Sequence, residues 1–78
     1  MTRPALLIRP ALASFARELR ILRRAKGLTQ LQLATRAGMT RQGFVKVERG
    51  GNVTLGTIVL LAHALECRVA DFFPSHAP

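Results

Sequence analysis

The sequence predicts an all-α fold, and its composition, its apolar spacing and its helix-capping residues all favour this class. Apolar residues make up 49% of the 78 residues, and the frequent Ala, Leu, Arg and Gln are good helix formers. Apolar side chains recur at the three- and four-residue intervals that line one face of a helix. Thr precedes several of these segments, where its hydroxyl can cap a helix. We therefore expect one compact domain of five helices.

The segment Gly27–Gly50 predicts a helix-turn-helix, around which the other elements are arranged. Thr29 and Gln32 have the spacing of a capping box, in which each side chain accepts a hydrogen bond from the backbone of the other. Thr40 is placed to cap a second helix. Gly38 falls between the two helices, where a residue with positive φ ends one helix sharply and lets the next start at a steep angle.

Apolar pairs bracket the predicted helix starts with the spacing of a hydrophobic staple, which fixes the angle at which the chain enters a helix. The pairs are Leu28 with Leu33, Met39 with Phe44, and Val53 with Ile58. The third pair surrounds Thr54, so a fourth helix is expected to begin there.

The predicted organisation has an N-terminal arm over residues 1–9, a domain over residues 10–74 and a C-terminal tail over residues 75–78. Because proline suits the first turn of a helix, the first helix is expected to begin at Pro10. Its apolar stripe consists of Leu12, Phe15, Leu19 and Leu22. The arm is expected to be disordered, and the alternative is that Arg3 and Arg9 follow a nucleic-acid backbone.

The C-terminal third is predicted to complete the core with two more helices. The inner face of the fourth helix is expected at Leu55, Ile58, Leu61, Ala62 and Leu65. A last short helix over Val69–Phe73 ends before Pro74, since proline cannot continue the hydrogen-bond ladder.

The charge of the chain predicts a polyanionic partner. The formal net charge is +8 and the pI is about 11.8, a strong attractive field for so small a surface. Of the twelve Lys and Arg residues, all but Arg68 lie at or before Arg49. The chain therefore has a basic front, for which nucleic acid is the leading partner, and a nearly uncharged apolar back.

Several classes of function are not expected from this sequence. The acids Glu18, Glu48, Glu66 and Asp71 are scattered, so no catalytic constellation, and hence no enzyme and no cofactor, is predicted. The single Cys67 forms no internal disulfide and, with His63 and His76, no zinc set. A reduced thiol is consistent with the cytoplasm. No secretory leader or membrane-spanning segment is predicted.

These motifs together resemble the Cro/repressor-type (XRE-like) helix-turn-helix family over about residues 13–73. The resemblance lies in the segments Leu28-Thr29-Gln30, Leu33-Ala34, Gly38, Val47-Glu48-Arg49-Gly50 and Leu61-Ala62-x-Ala64-Leu65. The Asn52–Leu55 segment, the small size and the Asp71-Phe72-Phe73 ending are most similar to stand-alone members, such as controller proteins of restriction–modification systems. The family implies five packed helices, with the third in the DNA major groove, and a two-fold dimer on a pseudo-palindromic operator.

The resemblance also implies which residues read bases. Arg41 and Gln42, at the start of the third helix, match the principal base readers, and Lys46, one turn on, matches a further base or phosphate contact. Arg suits a bidentate contact to guanine and Gln a bidentate contact to adenine. The alternative is an ordinary exposed polar surface.

Phosphate contacts and one structural ion pair follow from the same comparison. Gln30 matches a glutamine that binds phosphate at the start of the second helix, where backbone N–H groups add to the site. Thr40, Arg49 and Thr54 are the other expected phosphate contacts. Arg23 and Glu48 match a partly buried ion pair that ties the first helix to the end of the third.

The apolar back is predicted to form a homodimer interface. Its expected residues are Val59, Leu60, Val69, Phe72 and Phe73, which would make one contiguous apolar patch. The competing interpretation puts Phe72 inside the core.

The sequence therefore predicts a cytoplasmic, homodimeric regulator of transcription that binds double-stranded DNA in a sequence-specific way. The alternative from another class is an antitoxin-type interaction module, whose apolar back neutralises a toxin partner and which regulates its own operon. A peptide lying on a membrane surface is disfavoured, because the glycines and caps interrupt any long amphipathic face.

Overall fold

The chain forms four α-helices and a C-terminal 3-10 turn in a computed structural model that describes residues 3–74. The helices are α1 (Arg3–Ala25), α2 (Gln30–Arg36), α3 (Arg41–Glu48) and α4 (Leu55–Leu65), and the 3-10 turn is Val69–Phe72. No strand occurs within residues 3–74. The predicted all-α class is confirmed, although the fifth helix is a single 3-10 turn.

One hydrophobic core joins all five elements. The predicted stripe of α1 is central, with Phe15 and Leu19 buried and Leu22 packed against the core. The largest fully buried side chains are Leu19, Leu33, Phe44, Leu61, Leu65 and Phe72. Every element contributes at least one of them, so each short helix is held by packing rather than by its own propensity.

Three threonines cap α2, α3 and α4 as predicted. Thr29 Oγ1 accepts from Gln32 N at 3.0 Å while Gln32 Oε1 accepts from Thr29 N at 2.9 Å, which completes the capping box. Thr40 Oγ1 accepts from Gly43 N at 3.0 Å. Thr54 Oγ1 accepts from the backbone N–H three residues on at 3.1 Å. These local bonds fix where each helix begins.

The expected helix start at Pro10 is wrong, because α1 begins at Arg3 and Pro10 lies inside it. The predicted arm over residues 1–9 is therefore helical from Arg3 onward. Pro4 takes the role expected of Pro10, since it lies in the first turn, where a missing N–H costs nothing. Pro10 removes one bond of the ladder, the one to the carbonyl of Leu6, without ending the helix. Met1, Thr2 and the predicted tail over residues 75–78 lie outside the described residues.

The structure decides the place of three apolar residues in the C-terminal third, and Phe72 follows the competing interpretation that puts it in the core. Phe72 is fully buried and its ring meets Phe15 edge-on, with centroids 5.0 Å apart. Val69 is half-buried and packs against the core. Leu55, expected on the inner face of α4, is 70% exposed. The buried face of α4 begins one turn later, at Ile58, so the first turn of this helix lies beyond the edge of the core.

Glu66 ends α4 in a strained backbone conformation. Its φ is 56° and its ψ is 41°, the left-handed region in which a Cβ crowds the following carbonyl. Glycine is the usual residue at this position of a helix end.

Replacing Glu66 with glycine should therefore stabilise the protein. We expect Glu66→Gly to raise the free energy of unfolding by about 1 kcal/mol, since relief of the strain exceeds the entropy that glycine adds to the unfolded chain. Urea denaturation followed by circular dichroism measures this. Glu66→Ala is the control: it removes the carboxylate but keeps the Cβ, so it should give no comparable gain.

Candidate nucleic-acid interface

The turn between α2 and α3 is closed by backbone hydrogen bonds and by one glycine. Gly38 has a φ of 72°, a conformation that a side chain would strain. Met39 N donates to Ala34 O at 2.8 Å, and Gly38 N donates to Thr35 O at 3.1 Å. Met39 packs against the core in which Phe44 is buried, as the predicted hydrophobic staple between these two residues requires. The two helices are therefore fixed relative to each other.

The three predicted base readers lie on the solvent side of α3. Arg41, Gln42 and Lys46 are all exposed, whereas the opposite side of the helix buries Phe44 and Val47. Gln42 and Lys46 are one turn apart and share a face. The structure thus places these side chains together on one exposed, basic strip of a helix.

A buried ion pair holds the last turn of α3 against α1. Arg23 Nε donates to Glu48 Oε2 at 2.6 Å and Arg23 Nη2 donates to Glu48 Oε1 at 3.2 Å. The two residues are only 8% and 3% exposed. The remaining Arg23 nitrogen, Nη1, donates to Leu28 O at 2.9 Å. The ion pair expected between these residues is present, and its bidentate geometry makes it directional as well as attractive.

Two further side chains join this ion pair, and their contacts were not anticipated from the sequence. Gln30 Nε2 donates to Glu48 Oε1 at 3.0 Å, and Arg20 Nη1 donates to Glu48 O at 2.5 Å. Arg20 is only partly exposed in this position. The sequence feature that could have predicted this contact is the position of Arg20 one turn before Arg23, which puts both guanidinium groups on the side of α1 that faces α3.

The contact with Glu48 sets the orientation of the Gln30 amide. A carboxylate only accepts hydrogen bonds, so the nitrogen of the amide must point toward Glu48 and its carbonyl oxygen away. Gln30 remains half-exposed, and its NH₂ group has a second hydrogen to donate. This geometry is compatible with the predicted phosphate contact, which remains a prediction.

The other predicted phosphate contacts all lie at exposed helix ends. Thr40 and Thr54 are the caps of α3 and α4, and Arg49 directly follows α3. The chain turns tightly after Arg49, since Gly51 N donates to Lys46 O at 2.9 Å. A Cβ at Gly51 would lie 2.8 Å from that same carbonyl oxygen, so only glycine fits this close approach.

Side chains suited to metal binding do not cluster in the part of the chain that the structure describes. Among residues 3–74 no three His, Cys, Asp or Glu side chains are grouped so that they could hold an ion. None of the described helices is long and apolar enough to cross a membrane.

The fold defines a helix-turn-helix protein, a class that binds DNA. The chain matches the family model HTH_3, described as Helix-turn-helix, over residues 19–72. The match spans more than half of the chain, and the chain belongs to this family of XRE-type transcription regulators, as its motifs predict. No curated protein matches the chain in sequence.

Solved structures of regulators are similar to this chain. The restriction-modification controller protein C.AhdI from Aeromonas hydrophila is 43% identical with a TM-score of 0.79, over 82% of this chain and 98% of that one. The HTH_3 family transcriptional regulator from Vibrio cholerae is 28% identical with a TM-score of 0.75, over 80% of this chain and 35% of that one. The clp gene regulator ClgR from C. glutamicum is 29% identical with a TM-score of 0.74, over 78% of this chain and 80% of that one. The family is one of helix-turn-helix regulators, and the three similar structures are named as a controller protein, a transcriptional regulator and a gene regulator.

Breaking the buried ion pair from one side should destabilise the fold severely. Glu48→Leu leaves the Arg23 guanidinium buried without a counter-charge, so we expect the free energy of unfolding to fall by about 3–5 kcal/mol. Chemical denaturation measures the loss.

The matched control is the double variant Arg23→Met with Glu48→Leu. Two apolar side chains replace the pair without leaving a buried charge, so this variant should recover much of the stability. A single variant as stable as the wild-type protein would contradict the role given to this pair.

Proposed function

We propose that the protein is a homodimeric regulator of transcription that reads a pseudo-palindromic operator by placing α3 in the major groove. The observation that carries the proposal is the two-sided character of α3. One side exposes Arg41, Gln42 and Lys46, and the other is fixed to the core by Phe44 and Glu48. A helix rigidly mounted in this way presents its polar side chains in a defined register.

The chemistry of the exposed strip suits direct reading of base edges. The guanidinium of Arg41 matches O6 and N7 of guanine, and the amide of Gln42 matches N6 and N7 of adenine. Each such bidentate contact discriminates against a wrong base by about 1–3 kcal/mol. Lys46, one turn further along, adds a further base contact.

Phosphate contacts would set the register of α3 without reading sequence. We assign them to Gln30, Thr40, Arg49 and Thr54. The Gln30 amide is already oriented by Glu48, so little side-chain freedom would be lost on binding. The net charge of +8 supports capture of DNA from a distance.

A dimer is proposed because one short helix reads few base pairs. In helix-turn-helix dimers the two reading helices lie about 34 Å apart, one turn of DNA. The molecule measures 35 × 30 × 19 Å, so two copies side by side have the dimensions that such spacing requires.

The similarity to C.AhdI supports a controller-type role in a restriction–modification system, because it extends over 98% of that protein. The antitoxin alternative has no comparable support, since the similar structures are named as regulators. We therefore favour regulation of transcription as the function.

Two glutamine variants should separate reading from positioning. Gln42→Ala should relax the preference at one base pair of the operator, because it removes a base contact, whereas Gln30→Ala should weaken binding to all sequences alike. Competition binding with operators that carry every single-base change measures both effects. If the two variants gave the same profile, the assignment of roles would be wrong.

The affinity for DNA should fall steeply with salt. If each copy neutralises about three phosphates, the slope of log K against log salt is about −0.9 times six, or roughly −5 for the dimer. Fluorescence anisotropy titrations at several salt concentrations measure the slope. A nearly salt-independent affinity would contradict the capture of DNA by the positive charge of the chain that we propose.

A further inference from the structure

An apolar groove lies away from α3, between the N-terminal turns of α1 and the start of α4. Leu7, Ile8 and Leu12 form one wall, and Ile58 and Phe73 lie opposite. The groove has a volume of about 290 Å³, which is room for several aliphatic side chains. The Phe73 ring forms part of it, half-exposed and stacked on Phe15 with centroids 5.8 Å apart.

The wall contributed by α1 lies before the segment that the family model matches. The family match begins at residue 19, whereas the groove uses α1 from Leu7 onward. Leu6, Leu7 and Ile8 are 58%, 77% and 50% exposed. Three large apolar side chains in succession on an exposed helical turn are costly in water and mark a contact surface.

The chemistry of the groove excludes DNA as its occupant and favours an apolar one. All the side chains that line the groove are apolar. On α4, exposed Leu55 lies three residues before Ile58 and exposed Val59 directly follows it. An occupant must therefore offer aliphatic or aromatic groups rather than phosphates.

A second copy of this chain meets that requirement. In a two-fold interface the same patch lies on both partners, so the patch must be self-complementary. Here each copy carries a groove whose wall includes the largely exposed Leu7, with exposed Leu6 next to it in the helix, so both side chains can contact the groove of the other copy.

The exposed area is of the size that a stable dimer covers. Six large apolar residues on the groove side of α1 and α4 and after the 3-10 turn are at least half exposed, namely Leu6, Leu7, Ile8, Leu55, Val59 and Phe73. At about 100 Å² each they supply most of the ~800 Å² per partner of a standard interface.

We propose that two copies of the chain associate through this groove, with the N-terminal turns of α1 from each copy seated against α4 and Phe73 of the other. The inference rests on the proposed homodimer and names its surface. It replaces the interface predicted from the sequence, because Phe72 is buried and Val69 is half-buried within one copy. Val59, Leu60 and Phe73 remain as its exposed members.

The test is the oligomeric state of the full chain carrying Leu7→Gln, measured by sedimentation equilibrium. Glutamine keeps the helix propensity of leucine, and Leu7 is 77% exposed, so folding should be unaffected. Two copies of Leu7 leave the interface, so we expect the dimer dissociation constant to rise by about 100-fold. The matched control is Ile21→Gln. Ile21 is on the same helix and 49% exposed but lies outside the groove, so this change should leave the dimer dissociation constant unchanged.

Added salt distinguishes this contact from DNA binding. Each copy carries a net charge of +8, so screening should leave the apolar association unchanged or strengthen it while it weakens binding to DNA. A Leu7→Gln protein that stays as tightly dimeric as the wild type would overturn the groove as the interface, and wild-type binding to the operator would then leave the proposed function intact. A wild-type chain that is monomeric at all concentrations would overturn both the groove contact and the homodimer.

Discussion

The buried ion pair of Arg23 and Glu48 is the interaction on which the rest of the structure depends. One carboxylate accepts from α1 through Arg23 and from α2 through Gln30, and it belongs to the last turn of α3. Arg23 also donates to Leu28 O, just before the cap of α2. The pair therefore links the three helices that must keep a fixed geometry for a helix-turn-helix to read DNA. Two charges removed from water are stabilising only when they are fully hydrogen-bonded, and no buried side-chain N or O atom among the described residues lacks a partner.

The division of the surface into a basic and an apolar side gives each half of the chain a separate task. Exposed Arg41, Gln42 and Lys46 lie on α3, whereas the groove between α1 and α4 is lined by apolar side chains. A domain of this size buries only a small hydrophobic core, yet it leaves the large apolar side chains of Leu7 and Leu55 mostly exposed to water. Burial against a second copy would offset that cost and would add a second reading helix at the same time.

Local signals in the sequence were sufficient for the starts of α2, α3 and α4 but not for the start of α1 or for the packing. A cap such as Thr29 and its partner Gln32 lie within one turn of each other, so spacing alone identified them. The course of α1 before residue 10 was missed because proline within a helix is normally costly, and packing beside Phe73 is not visible in a local pattern. Phe72 and Phe73 are adjacent and equally apolar, and only the tertiary structure decides that the first is buried and the second half-exposed. The ion pair was implied by the family resemblance, whereas its extension to Arg20 and Gln30 depends on how α1, α2 and α3 pack.

We infer that α3, fixed by Glu48, reads DNA as one half of a two-fold dimer. Selection of bound sites from random double-stranded DNA with the wild-type protein tests it most directly. We expect a consensus of two inverted half-sites whose centres are one helical turn of DNA apart, or a multiple of it, because a two-fold protein imposes its symmetry on its site. A single unrepeated motif, two direct repeats, or no enrichment at all would contradict it.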